Sequence, residues 1–82
     1  MIFRRLKDLR EDHDLKQAYL AKLLDVSQRS YSAYETGDRL LSIQSLMILA
    51  DYYNVSIDYI VGRTDDPTPY PKKNAKKNAK KN

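Results

Sequence analysis

The sequence predicts an all-α domain built from five short helices. Three observations predict it. Apolar residues recur every three or four positions in successive stretches, which is the period of a helix with one buried face. Serines stand just ahead of three of those stretches, at Ser27, Ser42 and Ser56. A serine there caps a helix, because its hydroxyl accepts from a backbone N–H that has no partner in the first turn. Residues that tolerate a left-handed backbone then stop the stretches, at Gly37, Asn54 and Gly62.

The first helix is expected over Ile2 to Glu11. Ile2, Leu6 and Leu9 form its buried stripe, and Arg4, Lys7, Asp8 and Glu11 take the wet side. His13-Asp14 closes it, with Asp in a left-handed cap. Leu15 then packs inward. A second helix starts near Gln17 and carries Ala18, Leu20, Ala21 and Leu24; Lys16 at its start is a poor cap. Ala21 is small enough to let another helix approach closely. Asp25 and Val26 interrupt the pattern, with Asp25 in a left-handed turn. The third helix follows Ser27 and ends at Gly37. Asp38 to Leu41 connects it to a fourth, Ile43 to Tyr53, whose Ile43, Leu46, Met47, Leu49 and Ala50 are expected to face the core. A short fifth helix runs from Ser56 through Val61, with Asp58 in its first turn where the helix dipole favours an acid.

Eighty-two residues make one small domain with a modest core. There is no cysteine, so disulfides and cysteine-based zinc sites are excluded and a reducing cytoplasm is expected. The longest apolar run, Leu46 to Ala50, is too short to span a membrane, and no signal peptide is read at the N-terminus. The net charge of +4 is unevenly placed. Residues 1–66 hold nine Lys and Arg against eleven Asp and Glu; residues 67–82 hold six Lys and no acid. The domain boundary is therefore drawn at 63. Residues 64–82 are expected to be a disordered tail, proline-rich and then a Lys-Lys-Asn-Ala repeat with no apolar face. Such a tail is a solvated appendage, or a basic arm that attracts nucleic acid without regard to sequence.

Residues 17–37 organise the rest. In the third helix, Tyr31 and Tyr34 share one face, while Gln28, Arg29, Ser32 and Ala33 share another. One face holds the helix to the body; the other presents long polar side chains with nothing obvious to pair with. That is the layout of a helix-turn-helix whose second helix enters the DNA major groove. The chain resembles the Cro/CI-like, lambda-repressor-like or XRE-type helix-turn-helix family. The resemblance covers Ile2 to Arg63. It rests on landmarks that fall in order: Leu15-x-Gln17, Leu20-Ala21, Val26-Ser27, Tyr34-Glu35-x-Gly37, Leu49-Ala50-Asp51 and Val55-Ser56-x-Asp58. The chain departs from the family at Lys16, where a short polar cap is usual, and at Asp25, where glycine is preferred.

The resemblance implies double-stranded DNA as partner, a homodimer, and a set of contact residues. Gln28 and Arg29 open the reading helix; an amide can pair with adenine N6 and N7, and a guanidinium with guanine O6 and N7. Ala33 is placed for a thymine methyl, and Ser32 for a base edge or a phosphate. Gln17 clamps a phosphate in relatives, and Arg39 and Ser42 do so from the other side of the reading helix. Ser27 and Ser30 complete the expected interface. Arg10 and Glu35 match positions that form a partly buried ion pair fixing the first helix against the reading helix, with a phosphate contact as an extra for Arg10. Tyr52, Tyr53 and Tyr59 with Ile57 and Ile60 are the expected dimer surface, and Tyr19 and Leu23 are read as scattered surface residues.

The expected function is a sequence-specific prokaryotic or phage-like transcriptional regulator, acting in the cytoplasm as a homodimeric repressor on an operator. The rivals are an antitoxin that autoregulates its operon, and a protein-interaction module that keeps the fold. No enzyme, cofactor or metal is expected: His13 is the only histidine, and with two glycines there is no phosphate-binding glycine loop.

Overall fold

The computed structural model describes residues 3–71. In order, α1 spans Arg4–Asp12, α2 Gln17–Leu24, α3 Gln28–Thr36, α4 Ile43–Tyr53 and α5 Ile57–Ile60, with no strand among the described residues. The all-α expectation holds, and no described helix is long and apolar enough to cross a membrane.

Local chemistry sets the boundaries. Ser27, Ser42 and Ser56 each accept from the backbone N–H three residues on, at 3.0 Å, and so cap α3, α4 and α5. Lys16 caps α2 with no side-chain bond. Asp14, Asp25 and Asn54 adopt left-handed φ values of 55°, 58° and 57°, and Gly37 ends α3 at 87°. Because Asp25 carries a Cβ in that region, Asp25→Gly is expected to stabilise the domain by about 0.5 kcal/mol, read as a higher thermal midpoint. A fall would mean that the aspartate side chain itself holds the turn.

Leu6, Leu20, Tyr31, Leu49 and Ile60, one from each helix, are fully buried and form the centre of the core. α3 packs on α2 and α1, and α5 closes the far side against α4 and α1. Ile2 lies outside the described residues, and Ala18 is exposed. The inner-face expectation for α4 fails at two positions: Ile43 is 69% and Met47 53% exposed. The helix carries more apolar residues than one face can bury. Ser45, Leu46, Leu49, Ala50 and Tyr53 take the core side and leave Ile43 and Met47 outside.

The first part of the proline-rich stretch, to Pro71, falls within the described residues. Thr64, Asp65, Pro67 and Tyr70 each bond to the body. Arg5 donates to the carbonyl oxygens of Tyr59 and Thr64, pairs with the Asp65 carboxylate and sits 4.1 Å over the Tyr59 ring. The Ser56 N–H donates to the Pro67 carbonyl at 3.2 Å, and the Tyr70 hydroxyl donates to Asp58 at 2.8 Å. Proline cannot join a helix interior, yet its carbonyl accepts here without difficulty. The Lys-rich repeat from Lys72 lies outside the described residues.

Candidate nucleic-acid interface

Two tyrosines press α3 onto the body. Tyr31 is 0% and Tyr34 9% exposed, and their rings meet edge-on with centroids 6.2 Å apart. Burial of these rings fixes the rotation of the helix about its axis. Gln28 lies about 90° and Arg29 about 170° of turn from the centre of that face, and both are therefore exposed. Neither side chain makes a hydrogen bond or ion pair to the described residues. Ser30, Ser32 and Ala33 are half-buried beside them.

Behind the helix lies a buried charge network. Arg10 Nε donates to Glu35 Oε2 at 2.7 Å and a terminal guanidinium nitrogen to Oε1 at 3.1 Å, a two-pronged pair. The other Arg10 nitrogen donates to the Leu15 carbonyl at 3.0 Å, tying down the α1–α2 connection. Gln17 donates its amide N–H to Glu35 Oε1 at 3.1 Å. The Tyr31 hydroxyl lies close to the Glu35 carboxylate, although it meets no partner at hydrogen-bonding geometry. Glu35 is only 8% exposed. Burial raises its pKa, but the bonds from Arg10 and Gln17 and the nearby Tyr31 hydroxyl outweigh burial and hold the carboxyl below the ordinary glutamate value. Burial first, and the adjacent carboxylate second, push the Tyr31 phenol well above its usual range, so it stays protonated.

The expected contact residues divide on this geometry. Gln28, Arg29, Ser32 and Ala33 share the outer side of α3. Gln17 was expected to offer its amide to a phosphate; here one amide N–H is turned to Glu35, because a buried carboxylate draws in every donor within reach. Arg10 likewise gives its donors to Glu35 and Leu15. The Ser42 and Ser27 hydroxyls work as helix caps. Arg39 donates to Ser30 Oγ at 3.0 Å, a link across nine residues that the helix pattern does not announce. Arg29, Ser30, Ala33 and Arg39 line an open cleft of about 370 Å³.

The dimer surface needs correction. Tyr53 and Ile60 are core residues, and Ile57 and Tyr59 are half-buried against the core. Large apolar residues near the end of a domain read as surface when their helix register is not fixed. The exposed large apolar groups are Tyr19, Leu40, Ile43, Met47, Tyr52 and Tyr70. Tyr19 and Tyr52 approach with ring centroids 6.0 Å apart. His13 bonds through Nδ1 to the Leu9 carbonyl oxygen at 2.8 Å and meets the Tyr53 ring at a tilt of 55°, which accounts for it as a helix end. No group of three or more metal-ligating side chains converges among the described residues.

Known proteins resemble this arrangement along most of its length. A helix-turn-helix family profile matches residues 6–60. The uncharacterized HTH-type transcriptional regulator YobD of Bacillus subtilis is 42% identical over 69 residues, 84% of this chain and 62% of that protein. Antitoxin PezA of Streptococcus pneumoniae is 39% identical over 62 residues, 76% of this chain and 39% of that protein. A crystal structure of a transcriptional regulator from Listeria innocua superposes with a TM-score of 0.68 at 38% identity, over 70% of this chain and 53% of that one. The chain thus spans less than two thirds of each of these proteins.

Proposed function

The chain belongs to the Cro/CI-like, XRE-type helix-turn-helix family, and on that premise we propose that it is a transcriptional regulator that binds a DNA operator in a sequence-specific manner and represses by occupying it. One observation carries the proposal. The tyrosine-anchored rotation of α3 leaves Gln28 and Arg29 exposed and uncommitted on the side away from the core. In a major groove these two would read bases, and Ala33 and Ser32 would lie alongside. Arg39, Ser30 and the backbone ends near Gln17 and Ser42 would hold phosphates and set the register. The role is binding, with no chemical step.

The proposed unit is a homodimer on a two-fold operator, with reading helices one turn of DNA apart, about 34 Å. Leu40, in the connection after α3, and Ile43 and Met47, on α4, are apolar groups still exposed, and they support association there. Selection of bound duplexes from a random pool tests the whole proposal. An enriched motif with two matched half-sites is expected; a pool that stays random contradicts it. The similarity to an antitoxin favours a second reading, in which the same DNA-binding domain autoregulates an operon beside a toxin. A small toxin that co-purifies with the chain would decide for it.

A further inference from the structure

Three points of attachment lead the chain back over the body after α5. Arg5 of α1 holds the Thr64 carbonyl and the Asp65 carboxylate. The Pro67 carbonyl accepts from the Ser56 N–H at 3.2 Å. The Tyr70 hydroxyl donates to Asp58 at 2.8 Å, and Pro69 and Tyr70 line a groove of about 160 Å³ with Met47 and Ala50 of α4. Between these points the segment stiffens itself. The Asp66 N–H donates to Thr64 Oγ1 at 3.1 Å, and the Thr68 N–H to Asp66 Oδ1 at 3.0 Å. Pro67, Pro69 and Pro71 fix φ at every second residue. Residues 65–71 are exposed, so bonds and stiffness, not burial, hold this strap in place. It lies beyond the residues 6–60 that match the helix-turn-helix profile.

The path has a direction. It starts at Arg5 and ends beside Met47, near the middle of α4. The start of that helix, at Ser42, belongs to the proposed DNA interface. Five residues of helix separate Ser42 from Met47, about 7.5 Å. Residues 72–82 follow the strap, eleven residues with six lysines and no acid. They can reach about 36 Å at full extension. The strap thus releases the lysines within easy reach of the DNA side of the body. Charge density selects the partner. Residues 1–66 hold nine Lys and Arg against eleven Asp and Glu, a weak net attraction for a cationic segment. Duplex DNA carries one negative charge per about 1.7 Å of its axis.

We infer that the strap is a positioning device that delivers the lysines of residues 72–82 to the DNA backbone beside the half-site that the same chain reads. The inference rests on the DNA-binding reading above and deepens it. Asp65 and Tyr70 act through the lysines and touch no DNA themselves. The effective concentration of a tethered group falls roughly as the −3/2 power of tether length. Anchoring at Tyr70 instead of Gly62 shortens the tether to Lys72 from ten residues to two. That shortening raises the local concentration of the first lysines by up to about tenfold, and of the later ones by about threefold.

The test uses the full chain and the duplex that it selects. Removal of residues 72–82 should leave the thermal midpoint unchanged and weaken binding to every duplex by roughly tenfold or more at low salt. The slope of log K against log salt should become shallower by about 0.9 for each lysine in contact. The same removal in an Asp65→Ala, Tyr70→Ala background, where the strap is cut, should cost about three- to tenfold less. A flexible insert of about ten Gly and Ser residues between Pro71 and Lys72 leaves body and strap whole, and should weaken the full chain by a similar factor. The chain has no cysteine, so Asn74→Cys carries a single iron–EDTA label. Its cuts should fall in one narrow window per half-site, and should spread when the strap is cut. Equal costs of removal with and without the strap, or equally spread cuts, would overturn the delivery role while leaving sequence-specific binding intact. No cost in either background, or a fall in thermal midpoint on removal, would place the lysines off the DNA or on the body, and overturn it too. A wild-type chain that selects no duplex overturns both readings.

Discussion

Glu35→Met, with Arg10 left in place, is expected to destabilise the domain, at most by about 3–5 kcal/mol, because it leaves a partly buried guanidinium without its carboxylate. Glu35 is nearly inaccessible and is held at 2.7 Å by Arg10. A domain of this size has a total stability on the order of 5 kcal/mol, so the variant should be largely unfolded at 37 °C. Measured by urea unfolding in the cold, with trimethylamine oxide to keep the native state populated, Arg10→Met should show a similar loss. The double variant should lose less than either single one, since methionine pairs well with methionine where a lone charge does not. Additive losses would mean that the pair is not coupled.

The same network predicts the acid limb of stability. The Glu35 pKa is depressed in the folded chain. A depressed carboxyl contributes stability that is fully present above its unfolded value, about 4.5, and is lost as pH falls through the lower folded value. The wild type should therefore lose stability between about pH 4.5 and the acid end of the range, and the Arg10→Met, Glu35→Met double variant should lose less over that interval. Equal acid slopes for the two proteins would contradict this assignment.

Arg29→Ala is expected to weaken binding to the preferred duplex by roughly 10- to 100-fold, the value of one bidentate pair to guanine. The loss should be selective. Preference should vanish at one base position of each half-site and persist at the others. Stability should change by less than about 0.5 kcal/mol, since the side chain is exposed and has no partner among the described residues. Gln28→Ala should do the same at a neighbouring position. Selection from random duplexes with each variant reads both effects. A uniform loss across all sequences would move Arg29 from the bases to the backbone.

Local chemistry made much of this fold legible in the sequence. Each serine cap acts within three residues, and each left-handed stop at Asp14, Asp25, Asn54 or Gly37 is a property of one residue. The rotation of α3 was legible for a similar reason: two large rings one turn apart leave little choice of buried face. The missing cap at Lys16 was legible as well. The Arg10–Glu35 pair, 25 residues apart, followed from the family resemblance and not from spacing.

What stayed hidden depends on distant partners or on competition for space. α4 has apolar residues on more than half its circumference, and periodicity cannot say that Ile43 and Met47 lose the contest to Leu46, Leu49 and Tyr53. Tyr53 and Ile60 looked like surface because nothing local tells a core aromatic or isoleucine from an interface one. Nothing in the local sequence singles out Arg5. Its role appears only when the chain returns almost sixty residues later to place Tyr59, Thr64 and Asp65 around it. Arg39 and Ser30 are joined by a turn whose shape Gly37 permits but does not specify.

Backbone amide shifts of the full chain, titrated with its selected duplex, report residue by residue which surface of the body meets DNA. The largest changes should fall on residues 27–33 and Arg39, with the Gln17 side-chain amide shifting as well. Changes centred on Tyr19, Tyr52, Ile43 and Met47, with α3 undisturbed, would contradict it.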